Sequence, residues 1–174
     1  MLGLDPGTHR LGYGIIDAQG SNLTLQTYGC LETAPAVLPG DRLVEIDQVL
    51  TALIDQYRPD AVAIEELYFV QNVTTGLKVA EARGVLVLGV RRAHLPLAEY
   101  KPNLIKSTVT GYGLASKKQV QKMVQMLLKM PSLPTPDDAA DGLAIAITHA
   151  ALSRGQIRNP NIEIRNTRAS NLRK

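Results

Sequence analysis

Four carboxylates, Asp5, Glu65, Asp138 and Asp141, have the types and settings that could do chemistry in this chain. Asp5 closes the apolar start "MLGL" and runs into Pro6 and Gly7, so a first strand ends on an acid. Glu65 closes a second short apolar run, "AVAI". Asp138 and Asp141 open a helix, "PDDAADGLAIAITHA", and residues three apart share a helix face. At a helix start such acids ordinarily compensate the dipole, worth about 0.3–1 kcal/mol each. Here Ala139, Ala140 and Gly142 are small, which lets this helix start approach a sheet closely. Asp137 points roughly 100° away from Asp138 and is read as the dipole or capping residue.

Converging carboxylates repel and raise one another's pKa, and divalent cations relieve this. An all-oxygen donor set suits Mg²⁺ or Mn²⁺ rather than zinc. Two such ions about 4 Å apart are the usual machinery for phosphodiester displacement, one polarising the attacking water and the other stabilising the leaving oxygen. Other chemistries fit less well. No His/Cys metal spacing exists, and no nucleophile elbow joins a serine to a histidine. His149 follows Asp138 by eleven residues on one helix, about 16 Å at 1.5 Å per residue, too far to share its metal. His149 and His94 are read as structural, while His9, just after Asp5, is within reach of a phosphate. For Asp5 a second role competes: the acid–glycine turn followed by a glycine-bearing strand also resembles the phosphate loop of actin-like and sugar-kinase ATPases. Those proteins need two such lobes and further nucleotide loops, which 174 residues do not hold.

The elements that must position these acids follow from periodicity and turn signals. Residues 1–5, 11–18 and 22–32 read as strands separated by Pro6-Gly7 and by "QGSN" at 19–22. Leu43, Ile46, Leu50, Leu53 and Tyr57 form one helical stripe, with Asp41 a cap and Pro59 a stop. Residues 61–65 read as a buried parallel strand, 73–92 as a long helix, and 95–99 as a strand limited by Pro96. A short helix after Pro102, a helix capped by Ser116 with the stripe Val120, Met123, Val124, Leu127 and Leu128, and a last helix from Asp137 to Ser153 complete the order. The plan is α/β: an antiparallel meander, then parallel crossovers, giving a mixed five-stranded sheet with flanking helices. Sites in such sheets gather beyond the carboxyl ends of strands, where Asp5 and Glu65 both lie.

The length suits one domain, expected over residues 1–153, with 154–174 a basic tail that is mobile unless nucleic acid orders it. Apolar content of 45% and charged content of 20% argue against disorder. Cys30 is the one cysteine, so no disulfide forms within the chain, and it is read as a buried thiol. No apolar run approaches the roughly 20 residues of a membrane span, and no leader is read ahead of Asp5, so a cytoplasmic protein is expected. The net charge of +3 is unevenly spread. Residues 91–129, with Lys106, Lys117 and Lys118 among their cations, carry +7, the tail +5, and the remainder −9. A basic band beside an acidic remainder fits a binder of polyanions that also holds cations.

The segments "GLDPGTHRLGYGII", "AIEELYFVQN", "LKVAEARGV", "KKQVQKMV" and "DDAADGLAIAITH" resemble, in order and spacing, the RuvC family of bacterial Holliday junction resolvases over residues 2–150. The resemblance implies an RNase H-like fold and a homodimer that makes paired symmetric nicks across a four-way DNA junction in recombination and repair. It also implies a branch-migration helicase acting alongside. The family's four acids fall on Asp5, Glu65, Asp138 and Asp141, as catalytic and metal-holding residues. Glu65 matches rather than Glu66, because it follows "AI"; Glu66 replaces what is often an amide. The family's base-stacking aromatic falls on Tyr68, with Phe69 beside it. Its basic DNA contacts fall on Lys106 and Lys117, with Lys118 adjoining. A silent junction-binding module gives no reason for four converging acids, and the basic band alone does not separate duplex from junction.

Overall fold

The computed structural model describes residues 1–34, 36–67 and 73–157. Tyr68 and Phe69, and the tail from 158 onward, lie outside the described residues. The chain runs β1 (Leu2–Pro6), β2 (Arg10–Gln19), β3 (Asn22–Glu32), α1 (Pro39–Tyr57), β4 (Val62–Glu65), α2 (Val73–Arg92), β5 (Leu97–Tyr100), α3 (Pro102–Thr110), α4 (Lys117–Leu127) and α5 (Asp137–Ile157). One five-stranded sheet has the order β3-β2-β1-β4-β5. β1 is central, antiparallel to β2 and parallel to β4, and β4 is parallel to β5. This is the mixed α/β sheet with flanking helices that the sequence predicts.

The period of two along each strand divides the core into two layers. Leu2, Leu4, Val62 and Ile64 face Ile46, Leu50 and Leu53 of α1 and Leu86 and Val90 of α2, all buried. Burying each such aliphatic side chain contributes about 1.5–3 kcal/mol. The alternate residues, among them Ala63, face a second layer built on α5, with Leu143, Ile147 and Ala150, and on Ile105, Val109, Val120 and Val124 of α3 and α4. Asp5 and Glu65 continue this second face, so the alternation alone sends both carboxylates toward α5.

The glycines of the meander serve that same layer. The sequence suggests that those after Asp5 let DNA or the second strand come close; the structure gives the open side of Gly12 and Gly14 to α5 instead. A Cβ added at Gly3 would stand 2.2 Å from the Gly142 carbonyl oxygen, and one at Gly12 would stand 1.9 Å from that of Asp138. The approach is mutual, since a Cβ at Gly142 would meet the Tyr13 backbone at 2.6 Å. Helix and sheet therefore touch backbone to backbone, which only small residues on both sides allow.

Two local expectations shift. α1 begins at Pro39, with Leu38 as an N-cap lacking a side-chain hydrogen bond, so Asp41 lies in the first turn instead of capping. Proline at the first helical position costs no hydrogen bond, because that N–H has no intrahelical acceptor. β5 starts at Leu97, after Pro96, whose carbonyl still accepts from the Val62 N–H at 2.9 Å. Ser116 caps α4 as expected, in a reciprocal box with Gln119.

Candidate metal centre and nucleic-acid interface

Three chain segments bring the acids together. β1 ends at Asp5 and neighbouring β4 ends at Glu65, with Leu4 paired to Ile64 just before them. The first turns of α5, seated over Gly12, supply Asp138 and Asp141. Single carboxylate oxygens of Asp5, Asp138 and Asp141 lie within 4.8 Å of one another, a group that could hold a metal ion. Glu65 is not in that triad but lies beside it. It lines the same cavity as Asp5 and Asp141. Asp137 is not in the triad; it pairs with Lys117 at the helix start.

The electrostatics of the cluster are those of a site built for cations. Burial first, and then the charges of Glu65, Asp141 and Asp138, hold the Asp5 carboxyl well above the usual carboxylate range. Burial and the Asp141 charge raise Glu65. Burial raises Asp141 as well, against the opposing pull of Lys117. Desolvation and like-charge repulsion both disfavour ionised carboxylates here, and a divalent cation among them removes both penalties. The donors are all carboxylate oxygens, which fits a hard cation.

The cavity beside the acids has a volume of about 270 Å³, with Lys106 and Lys117 on its wall and Ile105, Val120 and Ile145 as apolar lining. Lys117, the first residue of α4, reaches Asp141 at 3.2 Å and Asp137 at 3.3 Å. Its partial burial works against the charge, but Asp141 and Asp137 hold its ammonium above the usual lysine range. The capping box at Ser116 aims this residue, because it fixes where α4 starts. Lys118 is exposed one residue on. Lys106 of α3 and Lys117 of α4 thus border the acids in space.

Arg10 belongs to the site, and the sequence reading does not include it. Its guanidinium bridges Asp138, at 3.3 Å, and Glu32, at 3.0 Å. A hairpin counted outward from the pair Gln19–Asn22 would set Arg10 opposite Leu31. A bulge between Ile15 and Ile16 shifts the register by one and sets it opposite Glu32. The bulge is the missing signal. His9 is held in the loop after Asp5, its carbonyl accepting from the Thr33 hydroxyl at 3.2 Å and from the Thr33 N–H at 3.0 Å. The buried Arg42 donates to the Thr8 carbonyl and fixes the same loop. His149 is structural as expected: its Nδ1 is 2.8 Å from the Tyr100 hydroxyl, and burial lowers its pKa. Cys30 is half-buried, and burial pushes its thiol up, away from reactivity.

Comparison with known proteins agrees with this geometry. The family model described as "Crossover junction endodeoxyribonuclease RuvC" matches residues 1–149. The protein of that name from Heliobacterium modesticaldum is 50% identical over 147 residues, covering 84% of this chain and 91% of the relative. The one from Petrotoga mobilis is 46% identical over 154 residues, covering 88% and 94%. Among solved structures, Thermus thermophilus RuvC in complex with Holliday junction substrate superimposes with a TM-score of 0.83 at 32% identity, covering 88% of this chain and 94% of that one. The yeast mitochondrial Holliday junction resolvase Ydc2 shares the fold, with a TM-score of 0.67 at 13% identity. Among the described residues no helix is long and apolar enough to cross a membrane. With an RNase H-like sheet, acids gathered at its strand ends, and matches spanning nearly the full length of the relatives, the chain belongs to the RuvC family of crossover junction endodeoxyribonucleases.

Proposed function

We propose that this protein resolves four-way DNA junctions as a cytoplasmic homodimer, each protomer nicking one of two opposed strands. The observation that carries the reading is the convergence of Asp5, Asp138 and Asp141 from segments more than a hundred residues apart, with Glu65 alongside. Asp5, Glu65, Asp138 and Asp141 hold two Mg²⁺ or Mn²⁺ ions per site. When bound, these ions supply Lewis-acid activation of water and charge stabilisation at the leaving oxygen. Lys106 and Lys117, on the cavity wall, hold the phosphates that flank the cut, and Lys118 extends that path. Arg10 keeps one Asp138 oxygen engaged and so orients the carboxylate. The products are a 5′-phosphate and a 3′-hydroxyl, with no covalent enzyme intermediate. A junction has two-fold symmetry and needs two opposed cuts, which favours a two-fold dimer. Tyr68, or Phe69 beside it, is proposed to stack on a junction base, residues 1–153 to form the nuclease domain, and a branch-migration helicase to act alongside.

The test is a synthetic four-way junction incubated with the protein, with and without Mg²⁺ or Mn²⁺. Cation-dependent nicks on both opposed strands, absent on plain duplex, are expected. Tight binding without cleavage in either cation would leave a binding module and overturn the nuclease reading. The double variant Lys106→Ala, Lys117→Ala is expected to weaken junction binding and flatten its salt dependence by about two counterions' worth of slope. An unchanged slope in a binding titration would move the DNA path elsewhere.

A further inference from the structure

The turn between α3 and α4 holds two apolar side chains in water. Tyr112 is 58% exposed and Leu114 is 78% exposed, with Leu104 of α3 also exposed at 40%. This is a built turn. Gly111 takes a left-handed conformation (φ 81°) that closes α3, its N–H donating to the Ser107 carbonyl at 2.8 Å. The Thr110 hydroxyl donates to the Lys106 carbonyl at 2.8 Å and accepts from the Tyr112 N–H at 3.1 Å. The Ala115 N–H donates to the Tyr112 carbonyl at 3.1 Å, and the Ala115 side chain is buried. Gly113 rests against Asn103 and Ser107 of α3. The backbone is therefore pinned at both ends and in the middle, and the two side chains are displayed outward.

Charge says what covers them. Residues 101–118 carry Lys101, Lys106, Lys117 and Lys118 and no acid. Lys106 and Lys117, on either side of the turn in sequence, wall the cavity of the acids. Lys117 follows Tyr112 by five positions, so their Cα atoms are at most about 18 Å apart. Lys117 is already paired with Asp137 and Asp141, but among the described residues Lys101, Lys106 and Lys118 make no ion pair, and an apolar protein face would desolvate them without supplying one. A nucleic acid offers both parts at once: phosphates for the lysines and a flat base for the ring.

We infer that Tyr112, with Leu114 as its apolar support, stacks on a base exposed at the branch point of the DNA, and so contributes to the preference for junctions over duplex. Duplex keeps its base faces stacked inside, whereas a branch point presents unstacked ones. The inference rests on the resolvase reading above and adds a second contact to the base-stacking role proposed for Tyr68 or Phe69.

The test uses the full chain carrying Asp5→Asn, so that the DNA stays intact, and compares it with the same chain carrying Tyr112→Ala, Tyr112→Phe or Leu114→Ala. Binding is measured to a synthetic four-way junction and to duplex of the same sequence, with 2-aminopurine at the branch point reporting stacking. Tyr112→Ala is expected to bind the junction about tenfold more weakly, the scale of one lost base–aromatic stack, with duplex binding unchanged and the 2-aminopurine signal restored toward that of free DNA. Tyr112→Phe is expected to retain both properties, since the ring is kept. If Tyr112→Ala lowers junction and duplex binding alike, or neither, the inference is wrong. If it shifts the sedimentation of the free protein while leaving junction binding intact, the patch is a protein interface and the inference is again wrong. A parent that prefers no junction over duplex overturns the resolvase reading itself, and this inference with it.

Discussion

Asp5→Asn is expected to abolish cleavage, to retain junction binding, and to raise the thermal stability of the cation-free protein. The three outcomes share one cause. Asp5 is a buried carboxyl facing Glu65, Asp138 and Asp141, and the fold holds its proton far more tightly than the unfolded chain does. Its folded-state pKa is raised above the unfolded value of about 3.8. In the window between those two values the native state binds more protons, so stability falls as pH rises through it. Below the window both states are protonated and nothing is lost. Asparagine has no proton to lose, so its advantage is expected to grow as pH rises through that window. Each kcal/mol gained appears as about 2–4 °C in Tm for a chain of this size.

Saturating Mg²⁺ or Mn²⁺ should reverse the order. A cation that binds only the folded state stabilises it by mass action, and the parent with its full set of acids gains more than the variant. Thermal melts of both proteins at two pH values, with and without cation, together with gel cleavage and binding assays, check all of this. An Asp5→Asn protein that nicks at the normal rate would remove Asp5 from the reaction. A parent whose Tm ignores the cation would remove the metal from the cluster.

Gly12→Ala is expected to lower cleavage at least about 100-fold while leaving the sheet recognisable by circular dichroism. The added Cβ would stand 1.9 Å from the Asp138 carbonyl oxygen, and that oxygen is backbone at the start of a packed helix, so it has no side-chain freedom to escape. The start of α5 must lift. Asp138 and Asp141 lift with it, away from Asp5, which is paired directly with Gly12 across β1 and β2. A displacement of about 1 Å in a catalytic constellation is enough for a loss of that size. Overpacking also costs about 1–3 kcal/mol of stability, to be read as a lower Tm. Gly40→Ala is the control: it lies in the first turn of α1, and an added Cβ there meets nothing within 4 Å. Normal cleavage by Gly12→Ala would mean that α5 does not depend on its seat over this glycine.

What could be read without the structure was whatever local periodicity or chemistry encodes. Leu2 and Leu4 alternate with Gly3 and Asp5, and Val62 and Ile64 alternate with Ala63 and Glu65. That alternation is enough to send both acids to one face once the strands are neighbours. The three-residue step from Asp138 to Asp141 and the small residues around them marked a helix start able to sit close to a sheet. Ser116 marked the start of α4. Each of these signals acts over a few residues, where backbone geometry repeats and sequence alone suffices.

The contacts that complete the site are made between segments distant in sequence, and no local period records them. The glycines after Asp5 were visible as a pattern, but only the packing showed that α5, not DNA, takes the open face of Gly12. One extra residue at the bulge between Ile15 and Ile16 decided that Arg10 stands opposite Glu32 and reaches Asp138. Lys117 was legible as part of a basic band, yet its pairing with Asp137 and Asp141 depends on where two helix starts meet. The sequence by itself determined which residues could carry the chemistry and which face each one takes. The tertiary structure alone decided their neighbours, because register shifts and helix docking are set by steric fit across the whole core.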